Sequence, residues 1–127
     1  MFTYTTRVAM HDTDAAGIVY FANFFHFAEE AEVHALASLG FKPVQDGHIY
    51  PRVHVECDYR TPLHFFEQVS VQAQLVSIGN SSLTWLFNIH GEHGLCATVK
   101  AVSSRRNQDG TAAPYTEEEK AQLAKLG

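Results

Sequence analysis

The residues with the clearest chemical potential lie in an acidic turn near the N-terminus, at positions 12–21. Asp12 and Asp14 stand two positions apart, and Gly17 follows them. Because a helix is predicted to begin at Ala22, these carboxylates would lie beside the unpaired N–H groups of a helix N-terminus. A carboxylate that activates water and an N–H group that stabilises an oxyanion are two components of acyl-transfer chemistry. The acidic turn is therefore a candidate acyl-transfer site.

The residues of the acidic turn alone leave three interpretations open. The spacing of Asp12, Asp14 and Gly17 matches the start of an EF-hand calcium loop, but Ala16 and Asn23 stand where that loop needs oxygen ligands. Aspartates also form turns and helix caps that have no catalytic role. In the catalytic interpretation, Asp14 is the reactive carboxylate and Gly17 lets a ligand approach the backbone closely.

Composition limits the class of protein. A length of 127 residues fits one domain over positions 1–127, and a hydrophobic content of 46% is enough for a core. The net charge of −5 argues against nucleic acid as a partner, because phosphate binding needs a basic surface. Cys57 and Cys96 lie in apolar runs rather than at metal-ligand spacing, which favours a reduced, cytoplasmic protein without a metal. No apolar stretch is long enough to span a bilayer.

Hydrophobic periodicity predicts five strands and one long helix. A first strand is predicted over positions 2–10, and apolar spacing of three and four predicts the helix over positions 22–39. A period of two then predicts four further strands, at positions 53–60, 69–75, 83–89 and 95–104. We expect these four to form an antiparallel meander. A capping box of Thr116 and Glu119 predicts a short C-terminal helix.

The predicted helix leaves two structural questions. Glu32 projects into the apolar stripe that runs from Phe24 to Leu39, so it either extends to solvent at the edge of the stripe or needs a partner if it is buried. One helix can cover only one face of a five-stranded sheet. The other face or an edge therefore needs a cover, and a second subunit is its simplest source.

Two segments resemble a known family. Arg7 and Val8, followed after four residues by positions 13–24 (TDAAGIVYFANF), resemble the signature of the 4-hydroxybenzoyl-CoA thioesterase family. Positions 55–62 (VECDYRTP) are similar to the second strand of that family and its Pro-containing turn. The resemblance implies an α+β hot-dog fold, in which a five-stranded antiparallel sheet wraps around one long central helix. It also implies a homodimer or homotetramer and favours the catalytic interpretation of the turn.

The resemblance assigns roles to individual residues. Asp14 matches the essential aspartate, which acts as nucleophile on the thioester carbonyl or as base for water. The backbone N–H of Phe21, at the start of the helix, matches the donor that polarises the carbonyl, and Gly17 matches the residue that shapes the turn. Tyr20 and Phe24 are expected to contact the acyl group or the partner chain.

The sequence departs from many relatives at two positions. An arginine is frequent where Glu32 stands, which puts a helix salt bridge in doubt. Some relatives have histidine where Phe21 stands, but the predicted donor is a backbone group and is retained. Glu29 matches a glutamate that is common on the helix in relatives, where its role varies.

Coenzyme A would bring phosphates that need cationic and hydroxyl partners. The side chains at predicted strand ends and turns that could reach them are Arg60, Ser81, Ser82, Arg105 and Arg106. No cofactor is expected beyond the coenzyme A of the substrate.

The expected activity is hydrolysis of an acyl-CoA thioester to a free acid and CoA. An aromatic acyl group, such as 4-hydroxybenzoyl or 1,4-dihydroxy-2-naphthoyl, and a short aliphatic acyl group are both open. The alternative is a non-catalytic hot-dog protein that binds acyl chains or acyl carrier protein.

Overall fold

A long helix, α1 (Asn23–Ser38), lies across one face of a five-stranded antiparallel sheet in the computed structural model, which describes residues 1–127. The strands are β1 (Phe2–Arg7), β2 (Arg52–Tyr59), β3 (Gln68–Ile78), β4 (Ser82–Gly91) and β5 (Gly94–Ser104). A short helix, α2 (Glu117–Leu123), follows the last strand, and 3₁₀ turns occupy Met10–Asp12 and Ala124–Leu126. The predicted α+β fold class is confirmed.

The core lies between α1 and the inner face of the sheet. Alternate residues of β3 and β4 point toward the helix and are buried, as a period of two requires: Val69, Val71, Ala73, Leu75, Leu83, Trp85, Phe87 and Ile89. The helix contributes apolar residues at spacings of three and four, including Phe24, Phe27, Ala28, Ala31 and Ala35. Burial of each large side chain stabilises the fold by roughly 1.5–3 kcal/mol. The predicted inward faces of α1, β3 and β4 are therefore confirmed.

The first strand ends earlier, and the long helix begins later, than the sequence pattern predicts. β1 stops at Arg7 instead of position 10, because the chain then enters the 3₁₀ turn. The Asp12 carboxylate stabilises that turn by accepting a hydrogen bond from the Ala9 N–H at 2.8 Å. α1 begins at Asn23, one residue after the predicted start, and Ala22 is its N-cap.

The predicted four-strand meander is wrong. The strands lie in the order β1-β3-β4-β5-β2, so β2 pairs with β5 at an edge and only β3, β4 and β5 form a meander. The cause is the connection between β2 and β3, which binds the acidic turn instead of folding back as a hairpin. The Val19 N–H donates to the Leu63 carbonyl at 2.8 Å, and the Phe65 N–H donates to the Gly17 carbonyl at 3.0 Å. Leu63 is fully buried there.

A β-bulge near the start of β2 redirects one side chain toward the helix. The register shifts between Arg52 and His54, so Arg52 lies opposite Ser103, whose side chain is buried on the inner face. Arg52 thereby reaches Glu32 of α1, with 3.1 Å between Nη2 and Oε1. Glu32 is only 4% exposed, so it is a paired, buried carboxylate and does not extend to solvent.

The C-terminal helix has the predicted capping box. The Glu119 N–H donates to Thr116 Oγ1 at 3.1 Å, and the Thr116 N–H donates to the Glu119 carboxylate at 2.9 Å. None of the helices combines the length and the apolar character needed to cross a bilayer.

Candidate active site

A cleft of about 390 Å³ opens between the acidic turn, the start of α1 and the end of β2. It brings together most of the residues that the sequence singles out near the helix start. The lining residues are Asp14, Ile18, Val19, Tyr20, Phe21, Phe24, Tyr59, Arg60, Thr61 and Pro62. One carboxylate therefore borders a cleft whose walls are mainly apolar and aromatic.

The Asp14 carboxylate is oriented by its own turn. Its Oδ1 accepts a hydrogen bond from the Ala16 N–H at 2.8 Å, while Oδ2 has no partner within the protein. The backbone of the turn is closed by the Asp14 N–H, which donates to the Ile18 carbonyl at 2.9 Å, and by the Gly17 N–H, which donates to the Asp14 carbonyl at 3.1 Å. Asp14 is exposed, so one carboxylate oxygen is held and the other is free to accept a proton or to attack.

Gly17 is required by backbone conformation rather than by space. Its φ of +79° lies in the left-handed region, which side chains disfavour. A Cβ placed on it would have no neighbour within 4 Å. The predicted role of Gly17 in shaping the turn therefore rests on its positive φ.

Asp12 ties the acidic turn to the start of α1. Its carboxylate is buried and accepts a hydrogen bond from the Ala9 N–H. Its backbone carbonyl accepts hydrogen bonds from the Tyr20 N–H at 3.0 Å and from Asn23 Nδ2 at 2.9 Å. With its carboxylate enclosed, Asp12 is a structural residue, and Asp14 is the acid that faces the cleft.

The start of α1 offers unpaired donors beside the cleft. The N–H groups of Phe21, Ala22 and Phe24 have no acceptor within the protein, whereas the Asn23 N–H donates to the Tyr20 carbonyl at 2.8 Å. α1 has neither a side-chain cap nor an acidic residue in its first turn. Its N-terminal partial positive charge is therefore unneutralised and available to an anion. Phe21 lies just before the N-cap, not within the helix.

Aromatic rings form much of the cleft wall. Tyr20 and Phe21 are exposed, with ring centroids 4.7 Å apart. Phe24 is buried and meets the Tyr59 ring edge-on, at 5.3 Å and an interplanar angle of 87°. Sequence reasoning missed Tyr59, for which the only signal was an aromatic residue that ends a strand just before a Pro-containing turn.

The sequence of residues 8–123 matches the family model described as the thioesterase-like superfamily. This chain belongs to the thioesterase-like superfamily. A 1,4-dihydroxy-2-naphthoyl-CoA hydrolase from Synechococcus elongatus is 31% identical to it over 106 residues, which are 80% of this chain and 78% of that relative. The predicted membership in a family of thioester hydrolases is confirmed.

Solved structures of thioesterases share the fold. A gentisyl-coenzyme A thioesterase superposes with a TM-score of 0.84 at 25% identity, covering 91% of this chain and 96% of that chain. A 1,4-dihydroxy-2-naphthoyl-CoA thioesterase from Synechocystis superposes with a TM-score of 0.88 at 23% identity, covering 98% and 96%. The hot-dog fold of this superfamily member is therefore confirmed.

Of the five side chains predicted to bind CoA phosphates, only Arg60 borders the cleft. Ser82 pairs with Ser104 of β5, whereas Tyr59 at the cleft pairs with Ala97 of the same strand. The stretch of β5 between those two pairs is about 23 Å long. The turn that carries Ser82 therefore lies at the far end of the sheet from the cleft. The contacts predicted for Ser81, Ser82 and Arg106 stay predictions.

Arg105 has a structural role that corrects its expected one. It is 4% exposed, and its guanidinium donates to the Glu119 carboxylate at 2.8 and 3.0 Å. It also donates to the carbonyls of Ala113 at 3.0 Å and Pro114 at 2.7 Å, and it lies 4.1 Å from the centroid of the Tyr115 ring. The hydrogen bonds from Arg105 lower the pKa of Glu119 to about 2. A guanidinium so enclosed fastens α2 to the sheet and is not free to bind phosphate.

Proposed function

We propose that this chain is an acyl-CoA thioesterase in which Asp14 and the Phe21 N–H act on the same thioester carbonyl. The observation that carries the proposal is that an oriented carboxylate and an unpaired N–H group at a helix start border one cleft. Hydrolysis of a thioester places negative charge on the carbonyl oxygen. One preorganised donor for that oxygen typically contributes about 3–4 kcal/mol to transition-state stabilisation.

In the general-base route, the Asp14 carboxylate removes a proton from water while the water oxygen adds to the thioester carbon. The carbonyl oxygen then carries the negative charge and accepts a hydrogen bond from the Phe21 N–H. When the tetrahedral intermediate collapses, the bond between carbon and sulfur breaks. CoA leaves as a thiolate, and the proton held by Asp14 is released to it or to solvent.

In the nucleophilic route, an oxygen of Asp14 adds to the thioester carbon and CoA thiolate leaves, which gives a mixed anhydride. Water then hydrolyses the anhydride and restores the carboxylate. Both routes yield a free acid and CoA, and both use the free oxygen of Asp14 and the donor at Phe21.

We propose an aromatic acyl group. Tyr20, Phe21, Phe24 and Tyr59 present rings to a cleft large enough for a drug-sized ligand. The similar proteins described above act on 1,4-dihydroxy-2-naphthoyl-CoA and gentisyl-CoA, which are both aromatic thioesters. Arg60 at the cleft supplies a cation that suits the CoA phosphates.

We also propose that a second copy of the chain covers the open edge of β2. That strand pairs only with β5, and its apolar residues Val53, Val55 and Tyr59 are exposed. An unpaired edge with exposed apolar side chains favours association with another strand. Since Tyr59 also lines the cleft, a dimer or a dimer of dimers built on this edge would border the site.

The free Cys57 and Cys96 suit a reducing, cytoplasmic location.

The test is a hydrolysis assay over aromatic and aliphatic acyl-CoA thioesters and acyl-carrier thioesters, with wild type and Asp14→Asn. We expect wild type to hydrolyse an aromatic acyl-CoA best, and Asp14→Asn to lose at least about a hundredfold in kcat while it still binds CoA. Asp58→Asn is the matched control, since Asp58 is an exposed aspartate outside the cleft lining. Near-normal turnover by Asp14→Asn contradicts the proposal. Binding without hydrolysis by wild type favours a non-catalytic acyl-binding protein.

A further inference from the structure

The carbonyl of Phe21 has an unusual partner. Phe21 precedes the N-cap, so its carbonyl has no partner in the backbone ladder of α1, and the Phe25 N–H donates to the Ala22 carbonyl at 3.2 Å. The Tyr59 hydroxyl donates to the Phe21 carbonyl instead, at 2.8 Å. A side chain of the edge strand β2 therefore holds a carbonyl just before the helix that no backbone N–H reaches.

The two peptide groups that flank Phe21 are both held. The peptide that carries the Phe21 N–H is fixed through the Tyr20 carbonyl, which accepts the Asn23 N–H at 2.8 Å. The peptide that follows Phe21 is fixed through the Tyr59 hydroxyl. Since the conformation of Phe21 links these two planes, loss of either bond would let the direction of the unpaired N–H vary.

Tyr59 is itself held in place, as a positioning group must be. Its backbone lies opposite Ala97 in the ladder between β2 and β5, and its ring packs edge-on against Phe24. The next residue, Arg60, donates its N–H to the Cys96 carbonyl at 2.8 Å. Partial desolvation of its hydroxyl and the neighbouring Cys57 raise the pKa of Tyr59 to about 12. Since even the ordinary tyrosine pKa of about 10 leaves the hydroxyl protonated at neutral pH, Tyr59 donates there.

We infer that Tyr59 is a positioning residue for the reaction: its hydroxyl, through the Phe21 carbonyl, orients the Phe21 N–H toward the thioester oxygen. The inference rests on the proposed function, since it concerns the donor of that same site. Stabilisation of an oxyanion depends steeply on the placement of the donor, whereas ground-state binding of the long CoA moiety does not. Loss of the hydroxyl should therefore lower kcat and leave KM almost unchanged.

The experiment compares wild type, Tyr59→Phe and Tyr4→Phe. Tyr59→Phe keeps the ring against Phe24 and removes only the hydroxyl. Tyr4→Phe is the matched control, because the Tyr4 hydroxyl donates to Glu30 at 2.9 Å and Tyr4 does not line the cleft. We expect kcat on an aromatic acyl-CoA to fall about tenfold in Tyr59→Phe, with KM within twofold of wild type, and both values to be unchanged in Tyr4→Phe.

A second measurement does not depend on turnover. In ¹⁵N-labelled protein, the amide signals of Phe21 and Ala22 should shift or broaden in Tyr59→Phe and stay in place in Tyr4→Phe. An unchanged kcat in Tyr59→Phe, or a loss confined to KM and thermal unfolding, overturns the positioning role. Unperturbed amide signals overturn it as well. Wild type that hydrolyses no thioester overturns the proposed function, and the amide signals still decide whether Tyr59 orients Phe21.

Discussion

Arg52 of the edge strand pairs with Glu32 of the central helix, with 3.1 Å between Nη2 and Oε1. The β-bulge at the start of β2 makes this possible, because it turns the Arg52 side chain to the inner face of the sheet. Burial raises the pKa of Glu32 to about 7, although Arg52 opposes that shift and Glu29 adds to it. The Glu32 carboxyl therefore titrates near neutral pH, well above the ordinary glutamate pKa of 4.5.

This pKa gives the stability of the protein a definite pH dependence. A carboxyl with a higher pKa in the folded chain than in the unfolded chain binds its proton more tightly when folded, so stability falls as pH rises from about 4.5 to about 7. The expected loss is about 3 kcal/mol across that window. Urea unfolding of wild type and Glu32→Gln at pH 5 and pH 8 measures it.

Glu32→Gln removes the titrating group and leaves Arg52, which is partly exposed, in contact with water. We expect the stability difference between the two proteins to change by about 3 kcal/mol between pH 5 and pH 8, in favour of the variant at pH 8. A difference that is the same at both pH values would show that Glu32 keeps an ordinary pKa.

Arg105 should control stability rather than substrate binding. Its buried guanidinium donates hydrogen bonds to the Glu119 carboxylate and to the carbonyls of Ala113 and Pro114. Arg105→Gln therefore leaves these acceptors without their charged donor. The expected cost is about 3 kcal/mol in the free energy of unfolding, measured by urea denaturation, because Glu119 is partly exposed and water can solvate it. Arg106→Gln is the control and should cost about 1 kcal/mol or less, because Arg106 is less buried. Equal effects of the two changes would contradict this assignment.

The sequence could predict the elements that local periodicity encodes, and the structure shows where that information ends. The inward faces of α1 and β3 follow from spacings of three to four and of two. The position of β2 does not, because it depends on the hydrogen bonds from Val19 to Leu63 and from Phe65 to Gly17, which no local pattern reveals. For the site, the acidic turn was predictable through Asp14 and Gly17. The hydroxyl of Tyr59 was not, since it reaches Phe21 only through the fold.

Arg60 is the cation expected to contact the CoA moiety. Because its side chain is exposed and borders the cleft, Arg60→Glu should raise KM for an acyl-CoA about tenfold through loss of attraction to phosphate and new repulsion. KM for the same acyl group on N-acetylcysteamine, which lacks the phosphates, should change little. Steady-state kinetics on the two substrates measures the contrast, and equal effects would remove Arg60 from the CoA site.

Gly17→Ala should separate activity from stability. Gly17 and Gly110 both adopt positive φ, +79° and +89°, with open space where a methyl group would stand, so alanine at either site should cost about 1–2 kcal/mol in the free energy of unfolding. Only Gly17→Ala should also lower kcat, by about tenfold, because Asp14 lies in the same turn. Normal kcat in a folded Gly17→Ala protein would show that the turn tolerates a displaced carboxylate.

Val55→Lys should weaken self-association. Val55 is 45% exposed on the open edge strand, so a charge there opposes burial against a second copy. Val76→Lys is the control, since Val76 is 50% exposed on β3, away from that edge. Light scattering should give a dimer or larger assembly for wild type and Val76→Lys, and a smaller mass for Val55→Lys. A monomeric wild type would rule out the proposed assembly.

The hydrogen bond from the Phe65 N–H to the Gly17 carbonyl joins two segments that are separated along the chain by the whole of α1 and β2. Closing so long a loop reduces chain entropy, and short-range contacts do not offset that loss. We therefore expect the acidic turn to reach its final shape late in folding, after remote parts of the chain have met. During refolding, recovery of turnover should lag behind recovery of helical signal, and the turn excised as a peptide should not keep its geometry.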